Sequence, residues 1–168
     1  IDALYPEWNI WLRFSSVEVI SALQRDCIDG VQPVQTAVNH PDEINSLFDP
    51  AIVYAKGARL LRMLQYFIGH KAFQHGLREY FVQYAYKNAE SNDLWKALAS
   101  SSGHNIENLM NAWITQPGYP VVHLRTHAGS IEITQEQFFV GPHEARSQLW
   151  PVPLGAGDPL PLSRRGVG

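Results

Sequence analysis

Apolar residues over roughly the first 119 positions recur at steps of three and four, the spacing that gathers them on one face of an α-helix. "PEWNIWLRF" and "SSVEVISALQRDC" are two short runs of this kind, the second with Ser15 or Ser16 placed to cap it. From Asp29 to Pro41 the chain carries a glycine, two prolines and no helical period, which predicts an extended connector. "DEINSLF" then predicts a helical turn. A longer helix starts at Pro50, where a missing N–H costs nothing, with the Asp49 carboxylate as cap and Gly69 as its stop. "KAFQHGLREYFVQYAY" restarts a helix at once. Its Phe73, Leu77, Tyr80, Phe81 and Tyr84 share one face, which predicts an antiparallel helix pair. "ESNDLWKALASSSG" and "NIENLMNAWI" predict two more helices, ended by Gly103 and by "TQPGYP".

After Pro120 the period changes to two. "VVHLRTH" and "SIEITQ", separated by "AG", predict a β-hairpin, and "QFFVG" and "QLWPVPL" predict two further strands. The stretch "GAGDPLPLSRRGVG" is left as irregular chain. The expected fold class is therefore mainly α with a C-terminal β segment, divided at 1–119, 120–154 and 155–168.

Composition narrows the function classes. A chain of 168 residues, 45% hydrophobic and 17% charged, is globular in character and long enough for one domain, or one domain and the start of another. A net charge of −3 without any block of like charge argues against a nucleic-acid or anionic-membrane partner. No apolar run approaches the ~20 residues of a membrane span. Cys27 stands alone, so an internal disulfide is excluded and a reducing, cytoplasmic setting fits. The start "IDALYPEWNIW" has no basic segment followed by an apolar core and no initiator methionine. It opens inside a helical pattern, which reads as a cut or processed end.

Candidate chemistry is sparse. A helical zinc pair needs two histidines on one face, as in H-E-x-x-H, and none is present. His70 and His75 diverge around a helix. His123 and His127 share a strand face but stand roughly 13 Å apart by strand rise. Cys27 has no nucleophile signature and reads as a small core residue. His143 beside Glu144 points to the opposite strand face. No G-x-S-x-G elbow, phosphate-binding glycine loop or specifying carboxylate pair occurs.

Tyr54 remains. It lies one turn into the long helix, three residues before Gly57, a glycine that costs a helix interior ~1 kcal/mol relative to alanine. An expensive glycine near a tyrosine with a polar tip predicts a crowded position. A phenol is neutral at pH 7 and donates one hydrogen bond from a rigid ring. Aimed at a tetrahedral oxyanion, such a donor is worth ~10²–10³ in rate.

"FDPAIVYAKGARLLRML", "GHKAFQHGLREYFVQYAYKNAESNDLWKAL" and "WITQPGYPVV" together resemble the M1 family of zinc aminopeptidases, over roughly Ile1 to Leu154. The wording "ISALQRDCIDGVQPVQTAVNHPDEI" is typical of the family's branch in lactic acid bacteria. The resemblance implies the helical C-terminal half of a thermolysin-like catalytic domain, then the first strands of a β-sandwich. It implies that Tyr54, in Y-x-K-G-A, stabilises the oxyanion formed when zinc-bound water attacks a scissile carbonyl. Phe48 would border the pocket for the substrate's N-terminal side chain, and Lys56 and Arg59 would be structural. The family's H-E-x-x-H helix, its third zinc ligand (a Glu) and its G-x-M-E-N segment would all precede Ile1. No zinc ligand is therefore expected in this chain.

Two functions follow from that reading. In the first, the chain is part of a zinc metallo-aminopeptidase acting on peptides with a free N-terminus, inactive alone because metal and general base lie elsewhere. In the second, it is a non-catalytic helical interaction module derived from such an enzyme. A module of that kind should have replaced Tyr54 and made its cleft face polar. Helices parted from their partners, with Trp8 and Trp11 near the bare end, are expected to expose an apolar face and self-associate.

Overall fold

The computed structural model describes residues 1–127, 130–144, 146–154 and 163–164. Within them, α-helices span Ile10–Ser16 (α1), Glu18–Asp26 (α2), Ile44–Leu47 (α3), Gly57–Ile68 (α4), His70–Gln83 (α5), Ser91–Ser102 (α6) and Ile106–Thr115 (α7). Strands Pro120–His127 (β1), Ser130–Gln137 (β2) and Ser163–Arg164 (β3) form one sheet in the order β1-β2-β3. This is the mainly α architecture with a C-terminal β segment that the periodicity predicts.

Local chemistry sets most of the helix ends. The Asp49 carboxylate accepts the Ala51 N–H at 3.0 Å, satisfying one of the open donors of the first turn. Gly69 and Gly103 close α4 and α6 at φ 84° and 75°, and the Asn105 side chain caps α7 by accepting the Asn108 N–H. The start of α2 departs from expectation. Val17 occupies the cap position, and the Ser16 hydroxyl donates back to the Arg13 carbonyl because Ser16 still belongs to α1. The connector from Asp29 onward is free of regular structure, and Pro41–Glu43 forms one 3-10 turn before α3.

The core lies where α4, α6 and α7 meet: Leu60 and Leu64 against Trp95, Leu98, Ile106 and Met110, closed at one end by Trp150. Helix α5 packs most closely on α6, through Gly76. A Cβ there would stand 2.9 Å from Leu98 Cδ2 and 3.0 Å from Leu98 Cα, so the glycine permits the approach. Phe81, expected on the packed face, is instead exposed.

The hairpin pairs Pro120 with Gln137 and His127 with Ser130, antiparallel; its turn residues Ala128 and Gly129 lie outside the described set. "QFFVG" and "QLWPVPL" are not further strands. β2 ends at Gln137, and in the second segment Pro151 and Pro153 lack the N–H groups a ladder needs. Among the described residues, a lone bridge at Val152 and side-chain hydrogen bonds take the ladder's place. Gln135, fully buried, donates from Nε2 to the Trp150 carbonyl and accepts the Trp150 N–H, both at 2.9 Å. Trp113 Nε1 donates to the Pro151 carbonyl at 2.9 Å. Of the tail left unassigned from sequence, Ser163–Arg164 pairs in parallel with Thr134–Gln135, and 155–162 and 165–168 lie outside the described residues.

Replacing Gly76 by alanine is expected to destabilise the chain by about 1–3 kcal/mol, because the methyl group meets the Leu98 backbone as well as movable side chains. Urea denaturation followed by far-UV circular dichroism checks this; an unchanged midpoint would show that α5 and α6 can separate without loss.

Candidate functional site

The chain enters α4 through a π-helical turn, Ala51–Lys56, and this turn carries Tyr54. The Gly57 N–H reaches back five residues to the Ile52 carbonyl, so one more residue than usual is fitted into the turn. Ile52, Ala55 and Lys56 point inward, whereas Tyr54 is 63% exposed. The Tyr54 hydroxyl has no hydrogen-bond partner among the described residues. Its ring meets Phe48 edge to face, centroids 5.4 Å apart and planes at 79°. The structure thus brings together the two side chains singled out from sequence, although they sit on either side of a helix cap.

Tyr54 stands at the lip of an open cleft of about 1130 Å³. Leu60, Leu61, Trp95, Met110 and Ile114 give it apolar walls; Gln35, Glu90, Asn92 and Asn111 supply polar groups. The expected crowding is absent. A Cβ on Gly57 would meet only Val34 Cγ1, at an ordinary 3.9 Å, and Gly57 also lines the cleft. The glycine borders open space rather than a close backbone contact.

Beneath the turn lies a buried ion pair that the sequence reading missed. Lys56 and Asp26 are 6% and 2% exposed, with Nζ 2.7 Å from Oδ2. Lys56 also donates to the carbonyls of Gly118 (2.9 Å) and Gln116 (3.4 Å), and Asp26 Oδ1 accepts the Gly118 N–H at 2.9 Å. Gly118 has φ 85°, and a Cβ there would strike the Gln137 side chain. Burial pushes the Asp26 carboxyl up and the Lys56 ammonium down, each opposed by the partner's charge and hydrogen bond. Next to Asp26, Arg25 Nε lies 2.6 Å from Asp49 Oδ2, tying α2 to the cap as well. A sequence signal existed: Asp26 falls four residues after buried Ala22, and Lys56 four after Ile52 and four before Leu60, so opposite charges sit on two apolar stripes. Of the two other motif residues named from the resemblance, Lys56 is buried in these contacts and Arg59 is exposed.

The remaining candidates lie apart. Cys27 is buried, its thiol near the Gln24 carbonyl. His123 pairs with Glu136 at 2.8 Å, His104 packs on the Phe67 ring and His143 on the Phe139 ring. Among the described residues no three His, Cys, Asp or Glu side chains are grouped to hold a metal ion, so these residues do not fit zinc. No described helix is long and apolar enough to cross a membrane.

Residues 1–113 match the Peptidase family M1 domain. The chain is 48% identical over 155 residues to Aminopeptidase N of Lactococcus lactis subsp. lactis, covering 92% of this chain and 18% of that protein. It is 44% identical over 162 residues to Aminopeptidase N of Lactobacillus helveticus, with 96% and 19% covered. It is 42% identical over 153 residues to Aminopeptidase M1-A of Oryza sativa subsp. japonica, with 91% and 17% covered. The chain spans under a fifth of the length of these relatives.

Two stability effects follow from this geometry. Lys56→Met is expected to cost about 3–5 kcal/mol, because it strands a buried carboxylate, and Asp26→Leu with Lys56→Met together less than the sum of the single changes. Gly57→Ala is expected to stabilise by about 0.5–1 kcal/mol, since the helix gains and nothing is struck. Urea midpoints of the four variants test both; additive ion-pair costs, or a destabilising Gly57→Ala, would contradict the packing described.

Proposed function

The chain belongs to peptidase family M1, and from that membership we propose that it contributes Tyr54 to the hydrolysis of N-terminal residues from peptides. In this reading the phenol donates its hydrogen bond to the oxygen that becomes negative when water adds to the scissile carbonyl. Phe48 packs against the tyrosine and borders the pocket for the substrate's first side chain. The observation that carries the reading is a phenol with no hydrogen-bond partner among the described residues, at the lip of an apolar-walled cleft. A donor already bonded within the protein would have to break that bond first; this one is free to meet developing charge.

The zinc implied by the family would supply the activated water. The described residues do not fit it, so its ligands would lie outside them, and the 168-residue chain alone would be inactive. Residues 1–119 would then be the helical part of the catalytic domain, 120–154 the opening of a β-sandwich and 155–168 a tail, of which Ser163–Arg164 pair with β2. A cytoplasmic setting fits the lone buried thiol. The alternative, a non-catalytic interaction module, is disfavoured because the cleft keeps its apolar walls and Tyr54 stays at their edge. Ile1, Leu4, Trp8, Leu12, Val17 and Ile20 are exposed, and a second copy of the chain would cover them.

In the metal-loaded full-length protein, Tyr54→Phe is expected to lower kcat on a leucine anilide by ~10²–10³ with KM little changed. An unaltered kcat would remove Tyr54 from the chemistry. The 168-residue chain by itself should show no turnover with or without added zinc, and its sedimentation coefficient should rise with concentration. Turnover by the chain, or a monomer at every concentration, would count against the corresponding part of the proposal.

A further inference from the structure

The six-residue turn that carries Tyr54 is held at both ends by consecutive residues of α2. Arg25 reaches Asp49 at its start and Asp26 reaches Lys56 at its end. A π turn is a rare conformation, because its wider coil packs less well than an α turn, so it persists where other contacts outweigh that deficit. Here the contacts are charged, and those of Lys56 are buried and fully used, its ammonium facing three acceptors. Two of these are carbonyls of the Gln116–Gly118 loop, so the Y-x-K-G and Q-P-G-Y segments, some sixty residues apart, form one unit around a single charge.

We propose that Asp26 and Lys56 are positioning residues: their ion pair holds the π turn and so fixes where the Tyr54 phenol stands above the cleft. Shortening the turn by one residue would rotate every side chain before Gly57 by about 100° relative to α4, carrying Tyr54 away from the lip. The proposal rests on the catalytic reading of Tyr54, and the experiment separates the two.

Asp26→Asn keeps the shape of the side chain and its acceptor for the Gly118 N–H while removing the charge. In the metal-loaded full-length protein it is expected to lower kcat by ~10²-fold with KM little changed, the scale of a displacement near 1 Å. In a Tyr54→Phe background the same change should cost under about twofold, because the group it positions is gone. Amide hydrogen exchange over 51–57 should accelerate by about tenfold in Asp26→Asn, with the α5–α6 pair unchanged. Equal kcat losses in both backgrounds, or unaltered exchange over 51–57, would overturn the proposal. If Tyr54→Phe alone costs nothing, the oxyanion reading falls, and the exchange rates alone then decide whether the pair holds the turn.

Discussion

A buried charge has to be answered by charge, and the region around Tyr54 is arranged to meet that requirement. Lys56 enters the interior on the apolar stripe of its helix, where an isolated ammonium would be strongly unfavourable. Asp26 supplies the counter-charge from α2, and the Gln116–Gly118 carbonyls take the remaining donors. An apolar pair would slide with little penalty, whereas this one specifies direction and distance together. Three parts of the chain that are remote in sequence are therefore held in register at one point. Against a well-packed apolar replacement the net contribution of such a pair to stability is small, whereas removing one partner alone is costly.

The second joint, between helices and strands, is made of neutral groups. Gln135 uses both ends of its amide on the Trp150 backbone, and Trp113 donates to Pro151, so an aromatic plug is fastened to α7 and β2 without a regular ladder. Two hydrogen bonds from one buried side chain to one backbone position fix that position in both distance and direction.

What was legible in the sequence follows the range of the interaction. Asp49, Gly69, Gly103 and Asn105 act within a turn or two of themselves, and their helix ends are readable from local chemistry. The change of period after Pro120 marked the hairpin. "QFFVG" and "QLWPVPL" misled because residues such as Phe138 and Trp150 pack on Tyr119 and Trp113 instead of a sheet face, and in the second segment Pro151 and Pro153 leave no more than a bridge at Val152. The π turn left no mark in the apolar spacing. Asp26 escaped notice because its meaning depends on Lys56, thirty positions away, although both sit on apolar stripes. Tyr54 stood out beside Gly57 in the helix pattern, its assigned role and Phe48 came from the resemblance, and their mutual contact came only with the fold.

Separation along the chain also orders events in time. The bond from Lys56 to Gly118 closes a separation of sixty-two residues, and that from Gly118 to Asp26 one of ninety-two. Helices α4 to α7 form from neighbouring contacts and can be complete while the chain is still being synthesised, but the clamp under Tyr54 cannot close until Gly118 has emerged. The ion pair between Asp26 and Lys56 can form once α4 begins, whereas the bonds of Lys56 and Asp26 to the Gln116–Gly118 loop come last, so the π turn is enclosed only after α7 is complete.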